Sequence, residues 1–264
     1  MIALLSLVPL PAEAGAWNRP KHGFYLKTGY NYLRAQELAT PAADVVAIPP
    51  FTKNEATLYF EYGLSSRLSV ILDSIAYRQS SIEGFESAAG IGDTRLGLQW
   101  QLPGSGRFVF AVRATLQFPV GDETKGESLL PTGSGIYEGE VVLGTGVSLW
   151  SGRGWAQAGI GPLSRGGGLR DGFVYDAQLG RRLVGRVLLM INVRGVQPWD
   201  TAPGSASTGS AAGFGDGVTY VAYGPSLIIE LARGVALQLD VDGATNVRNI
   251  AKGPTYRVGL SVSR

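Results

Sequence analysis

Apolar residues alternate with polar or small residues at a period of two from residue 23 to the end of the chain. This alternation is the pattern of β-strands, and it leaves no room for a helical domain. In the clearest segment, Leu96 and Leu98 alternate with Gly97 and Gln99. The pattern predicts twelve strands, at 23–34, 54–64, 67–78, 91–102, 107–119, 136–150, 155–163, 172–181, 185–197, 217–229, 235–244 and 254–263. The sequence is therefore predicted to be all-β.

The connections between these segments alternate between short and long. Short connections lie at 65–66, 103–106, 151–154, 182–184 and 230–234, and long ones at 35–53, 79–90, 120–135, 164–171, 197–216 and 245–253. An up-and-down antiparallel barrel has this layout when one rim carries tight turns and the other carries loops. We therefore predict one such barrel of about 12 strands, with loops 35–53 and 197–216 folding inward to constrict the lumen.

The width of such a barrel decides which face is wet. Side chains can fill the interior of about eight strands, so twelve strands with an apolar interior would enclose a large dry void. Strands of about ten residues, tilted by about 40°, span the roughly 25 Å apolar band of an outer-membrane barrel. The apolar face is thus predicted to face lipid and the polar face a water-filled lumen. Interfacial aromatic girdles are predicted from Tyr30, Tyr32, Tyr62, Trp100, Phe108, Phe118, Trp150, Trp155 and Tyr256.

The first residues have the layout of a secretory signal peptide. An apolar stretch at 2–10 is followed by the small-residue pattern Ala12-Glu13-Ala14, which predicts cleavage after Ala14. Residues 1–14 are therefore predicted to be a signal peptide and residues 15–264 the outer-membrane β-barrel domain. The apolar stretch itself is too short for a membrane-spanning helix.

A second sequence feature is a resemblance carried by two glycine–aspartate motifs. Gly92 and Asp93 stand in the stretch GIGDTRLGLQWQ at 90–101, and Gly121 and Asp122 stand in FPVGDE at 118–123. Together these motifs resemble those of outer-membrane proteins described as putative transporters of the MetA pathway of phenol degradation. The resemblance implies passage of small compounds across the outer membrane, with hydrophobic or aromatic compounds among the candidates.

Charged residues fall on the face that is predicted to point into the lumen. The candidates for lining it are Lys27, Glu61, Asp93, Arg95, Arg113, Glu140, Asp176, Arg194, Asp240, Asp242 and Arg257. Such groups set ion preference and position solutes in a wet pore, but they can also pair across strands and fill the interior. A slight acidic excess on this face favours cations or neutral solutes.

Other functions find little support in the residue types. The chain has no Cys and one His, so thiolate chemistry is excluded and a hydrolase would have only His22 as its base. His22 stands just before the first strand, on the rim away from the outer leaflet, and no acidic cluster has calcium-loop spacing. A net charge of +2 without a basic run argues against a nucleic-acid partner.

The sequence thus predicts an outer-membrane channel or transporter for small molecules, without enzymatic activity, cofactor or metal. The predicted partners are outer-membrane lipid, the solute, and the barrel-assembly machinery during biogenesis. A structural or surface-interaction barrel with a plugged lumen is the alternative.

Overall fold

The computed structural model describes residues 15–104, 107–122, 130–204 and 209–264. The predicted signal peptide, residues 1–14, lies outside the described residues. The described strands are β1 (Phe24–Ala39), β2 (Val45–Gly63), β3 (Leu68–Ile82), β4 (Glu86–Gly90), β5 (Thr94–Gln101), β6 (Phe108–Phe118), β7 (Glu138–Leu149), β8 (Gly154–Arg165), β9 (Gly172–Arg182), β10 (Val187–Pro198), β11 (Thr219–Ala232), β12 (Val235–Arg248), β13 (Ile250–Lys252) and β14 (Thr255–Ser263). Two 3₁₀ turns, Trp150–Gly152 and Ser210–Ala212, complete the described elements.

The strands form one closed antiparallel sheet. β1 pairs with β2 on one side and with β14 on the other, so the first and last strands join. β4 and β5 both pair with β3, and β13 and β14 both pair with β1, so each couple forms one interrupted strand of the barrel. The result is a closed barrel of twelve strands, which confirms the predicted fold class. Closure leaves no unpaired edge, as lipid requires.

The apolar face of the barrel points outward. Leu96, Leu98 and Trp100 of β5 are 46%, 53% and 55% exposed, whereas Gln99 between them is 2% exposed. The same alternation on β6 leaves Phe110 exposed. None of the described helices is long or apolar enough to cross a membrane. The exposed apolar band confirms the predicted orientation of the two faces.

Three of the predicted long loops are mostly strand. β1 and β2 continue past the predicted ends and leave only residues 40–44 as a turn, and the segments predicted as loops at 79–90 and 245–253 also extend the ladder. The prediction was wrong because alternation of apolar and polar residues marks only the part of a strand that has one face against lipid. Beyond the apolar band the strand hydrogen bonds continue without the alternation, as in residues 45–51, which read VVAIPPF. Of the two loops expected to fold inward, 35–53 is therefore a β-hairpin.

Two Gly-Pro pairs lie inside strands and interrupt the ladder. No pairing joins Gly161 and Pro162 of β8 to β7, and none joins Gly224 and Pro225 of β11 to β12. Proline has no N–H to donate, and a Cβ on either glycine would lie 1.8 Å from a neighbouring carbonyl oxygen. Both strands nevertheless continue their pairing on their other sides.

One predicted girdle residue lies on the inner face. The Trp155 indole donates a hydrogen bond to Gln178 Oε1 at 2.7 Å, and its ring covers Gly180. A glycine opposite a large ring is the local reason, since a Cβ at residue 180 would lie 2.3 Å from that ring. Trp155 therefore does not belong to the outer girdle, whereas Tyr30, Trp100 and Tyr256 are exposed on the outer face.

Candidate functional site: a lumen bounded by two plugs

Residues 15–23, here called the N-terminal plug, fold into the barrel at the rim that carries the short turns. Ala16 is 3% exposed and Arg19 2% exposed. Gln99 Nε2 donates to the carbonyl oxygen of Gly15 at 2.8 Å, and the backbone N–H of Asn18 donates to the Gln101 side chain at 3.0 Å. The period-two pattern gave no signal for this segment because it is not a strand.

Arg19 anchors the N-terminal plug to the barrel wall. Its Nε donates to Glu61 Oε2 at 2.9 Å, and the two side chains are 2% and 1% exposed. Its backbone N–H donates to Ser69 Oγ at 3.3 Å, and its guanidinium lies 4.7 Å from the centre of the Tyr25 ring. Buried charges are stable only when they are paired and hydrogen-bonded in this way.

A glycine on β7 makes room for the aromatic side chain of the plug. The Trp17 ring lies over Gly146, where a Cβ would be 2.5 Å from the ring. Glycine at this position of the inner face therefore serves close packing.

Residues 130–136 and 209–216, here called the loop plug, fold inward at the opposite rim. Their apolar residues pack against the strand extensions in a core of Ala35, Phe51, Ala88, Leu130, Ala212 and Ala251, with Leu33, Ile48, Ile82, Ala211 and Phe214 beside it. An apolar core inside a polar barrel holds these loops by burial of surface. Within the loop 197–216, which was predicted to fold inward, residues 209–216 do so.

Arg78 of β3 connects both halves of the loop plug to the wall. Its Nε donates to Glu55 Oε1 at 2.8 Å, and its Nη1 donates to the carbonyl oxygen of Thr132 at 2.7 Å. Its guanidinium also lies 4.8 Å from the centre of the Phe214 ring. One buried side chain thus contacts a strand and both loops.

Asp93, the aspartate of the first glycine–aspartate motif, clamps the loop after β6. Its carboxylate accepts from the backbone N–H of Ser134 at 2.7 Å and from that of Gly121 at 3.2 Å. Gly121 and Gly133 approach closely enough that a Cβ on either would lie 2.6 Å from the other's Cα. The two motifs therefore meet in space, and they hold the loop plug in place.

Between the plugs, charged side chains pair on the inner face while keeping contact with solvent. Arg194 and Arg257 both donate to Asp242 Oδ2, at 2.9 and 2.5 Å. Arg113 lies 3.7 Å from Asp176. The side chain of Arg194 is 51% exposed, and that of Asp176 is 36% exposed.

The remaining lumen candidates fall at several levels of the barrel. Arg95 Nε donates to Gln117 Oε1, and Arg95 Nη2 lies 3.7 Å from Glu138 Oε2. Asp240 Oδ1 accepts a hydrogen bond from Gln238 Nε2 at 2.9 Å. Lys27 lies beside Gly259, and Glu140 lies next to outward-facing Val141, hence on the inner face. Glu61 and Asp93 are buried against the plugs. The structure thus brings together Arg194, Asp242 and Arg257 as one cluster and Arg113 with Asp176 as another.

Three inward arginines were missed by sequence reasoning. Arg19, Arg78 and Arg165 pair with Glu61, Glu55 and Glu138, Arg165 at 2.6 Å. Arg19 precedes the first strand and Arg165 follows a predicted strand end, so periodicity could not assign either a face. These cations offset the acidic excess counted on the predicted strands.

Few residues in the part of the chain that the structure describes could serve as a catalytic base or as metal ligands. His22 Nδ1 lies 3.0 Å from the hydroxyl oxygen of Tyr62, at the short-turn rim. No group of three or more His, Asp or Glu side chains in the described ranges has metal-site geometry.

Comparison with known proteins gives structural similarities only. No family model and no curated protein matches the sequence. The fold is similar to that of the COG4313 outer membrane channel from Pseudomonas putida F1, with a TM-score of 0.71 at 12% identity over 97% of this chain and 99% of that chain. It is also similar to the KdgM porin (TM-score 0.55, 7% identity, 90% and 99% covered) and to the NanC porin (0.56, 8%, 90% and 98%). At these identities the likeness establishes the fold.

Proposed function

We propose that this protein is a channel of the bacterial outer membrane that passes small molecules through its lumen. The short-turn rim faces the periplasm and the loop rim faces outside, as in other bacterial barrels. The glycine–aspartate motifs support kinship with the MetA-pathway transporters, so hydrophobic or aromatic compounds are candidate solutes. Both plugs fold into the lumen and narrow the path.

The observation that carries this proposal is the half-exposed charge on the inner face between the plugs. A barrel interior that serves only as filling is expected to bury its charges in pairs. Instead, Arg194 keeps about half of its side chain exposed while donating to Asp242, and Arg95 is 43% exposed. Ionised groups in this state require water, and their exposure therefore supports a hydrated compartment between the plugs.

A cysteine-accessibility experiment tests the proposal directly, because the natural chain has no Cys. Arg194→Cys places a thiol in the proposed water path. Ile191→Cys, three residues away on the same strand and 52% exposed on the lipid side, is the matched control. Current through planar bilayers is recorded before and after a charged, membrane-impermeant methanethiosulfonate reagent is added.

If the protein is a channel, the reagent should react with Arg194→Cys and change the current. It should leave the current through Ile191→Cys unchanged. Liposome swelling with sugars and with small aromatic acids then ranks the solutes. A bilayer current that is absent at all voltages, together with no solute flux at any size, would favour the plugged structural barrel. The supporting observation for that alternative is the inward position of the two plugs.

A further inference from the structure

Gln157 Oε1 is a buried acceptor without a hydrogen-bond partner, and it faces the N-terminal plug. Its orientation is fixed by its neighbours, because the Trp155 indole can only donate and bonds to Gln178 Oε1 at 2.7 Å. Gln178 Nε2 in turn donates to Asn192 Oδ1 at 2.8 Å. Gln157 Nε2 must therefore donate to Gln178 Oε1, at 3.2 Å. This leaves Gln157 Oε1 as the free acceptor. Gln157 is 8% exposed.

Gly15 lies directly against this acceptor. A Cβ at residue 15 would lie 1.8 Å from Gln157 Oε1, so a larger residue does not fit. The carbonyl oxygen of Gly15 is held by Gln99 Nε2 at 2.8 Å. Gly15 and Gln157 line a cavity of about 20 Å³ together with Arg113 and Asp176, which is room for a water-sized group.

The site is short of one hydrogen-bond donor. A buried acceptor without a donor is destabilising. The N–H of an internal residue is fixed in direction by its planar peptide bond, whereas a terminal ammonium has three N–H donors that can rotate toward an acceptor. The pattern Ala12-Glu13-Ala14 predicts cleavage of the chain immediately before Gly15.

We infer that cleavage between Ala14 and Gly15 creates an α-ammonium group that is bound inside the barrel, where it donates to Gln157 Oε1 and faces the carboxylate of Asp176 across the cavity. The step is hydrolysis by a signal peptidase. The oxygen of a water molecule adds to the carbonyl carbon of Ala14 and the C–N bond to Gly15 breaks. Both protons of the water pass to the Gly15 nitrogen, so that the released peptide ends in the Ala14 carboxylate and the mature chain begins with the Gly15 ammonium. Docking of the N-terminal plug is thereby coupled to export and processing.

This inference concerns the plug of the proposed channel, but its test does not depend on conduction. The protein is purified from outer membranes, and its N-terminal peptide is identified by mass spectrometry. The folded protein is then treated with an amine-acetylating reagent. Acetylation of the Gly15 amine is compared with that of Lys21, which is exposed on the same segment. The inference predicts a chain that begins at Gly15, with an amine that reacts on the order of ten-fold more slowly than Lys21 until the protein is unfolded.

Two variants distinguish the hydrogen bond to Gln157 Oε1 from general packing around Gly15. Gln157→Leu removes the acceptor and should raise acetylation of the Gly15 amine to the rate of Lys21, whereas Gln157→Glu keeps an acceptor and should preserve protection. Gln197→Leu, at the opposite rim, is the control.

A mature chain that begins elsewhere, or a Gly15 amine that reacts as fast as Lys21 in the folded wild type, would overturn the inference. The wild-type comparison decides the matter even if Gln157→Leu does not fold. Lack of solute flux with a protected amine would count against the channel alone.

Discussion

The anchor of the N-terminal plug can be removed by one substitution, Arg19→Ala. Arg19 and Glu61 form an ion pair at 2.9 Å, and both side chains are almost completely buried. The substitution deletes the guanidinium and leaves Glu61 without that partner while the plug is docked. When the plug leaves the lumen, water replaces it around the carboxylate. The penalty therefore falls on the docked state.

The size of the effect follows from the burial of the pair. Breaking a buried ion pair by removing one partner costs about 3–5 kcal/mol. Each 1.4 kcal/mol is a factor of ten, so even about 3 kcal/mol raises the ratio of undocked to docked plug roughly 100-fold. A plug that is undocked about 0.1% of the time would become undocked about 10% of the time.

Single-channel recording in planar bilayers measures this population. Arg19→Ala should show frequent long openings of higher conductance than the wild type. The double variant Arg19→Ala with Glu61→Gln should partly reverse the effect, since the buried carboxylate is then neutral. Arg67→Ala is the control, because Arg67 is an exposed arginine of the same rim.

Equal conductance and equal open probability of folded Arg19→Ala and Arg67→Ala would refute this role of Arg19. Folding is checked by the heat-dependent gel mobility of the barrel, so a loss of current through misfolding is not counted as an answer. An Arg19→Ala channel that is more closed than the wild type would also refute it.

Three further predictions concern other parts of the barrel. Asp93→Asn weakens the clamp on the loop after β6 by about 1–3 kcal/mol, so limited proteolysis of that loop should be faster than in the exposed-residue control Asp200→Asn. Gly146→Ala places a methyl group against the Trp17 ring and should displace the plug, seen as a changed Trp emission, whereas Gly139→Ala, with nothing within 4 Å, should leave the emission unchanged. Leu98→Arg puts a charge on the lipid side and should lower the free energy of unfolding in lipid by about 2–4 kcal/mol, more than Leu98→Ala does.

The barrel itself could be predicted because its strands repeat one physical constraint. A residue such as Leu98 faces lipid and its neighbour Gln99 faces the interior, and this difference recurs along every strand. Where the constraint ends, prediction failed. The hairpin at 35–53 continues its hydrogen bonds beyond the band that contacts lipid. There Ala35 and Phe51 pack against the loop plug, and the contrast between a lipid face and a polar inner face no longer sets the pattern.

The plugs could be predicted only in part, because their contacts are far apart in sequence. Arg19 meets Glu61, and Asp93 meets Ser134, through pairings that no local pattern records. The glycine–aspartate motifs did mark the clamp on the loop plug, although their role was visible only in three dimensions. Trp155 was placed outside because aromatic residues near strand ends are usual at the interface, whereas here the small Gly180 accepts the ring on the inner face.

The central claim is that the apolar face contacts lipid while the N-terminal plug lies inside the barrel. Two single-tryptophan variants, which retain either Trp100 or Trp17, test it in bilayers that contain brominated lipid. The account predicts strong quenching of Trp100, which is 55% exposed on the outer face, and little quenching of Trp17, whose ring packs against Gly146. Equal quenching of both, or quenching of Trp17 alone, would contradict it.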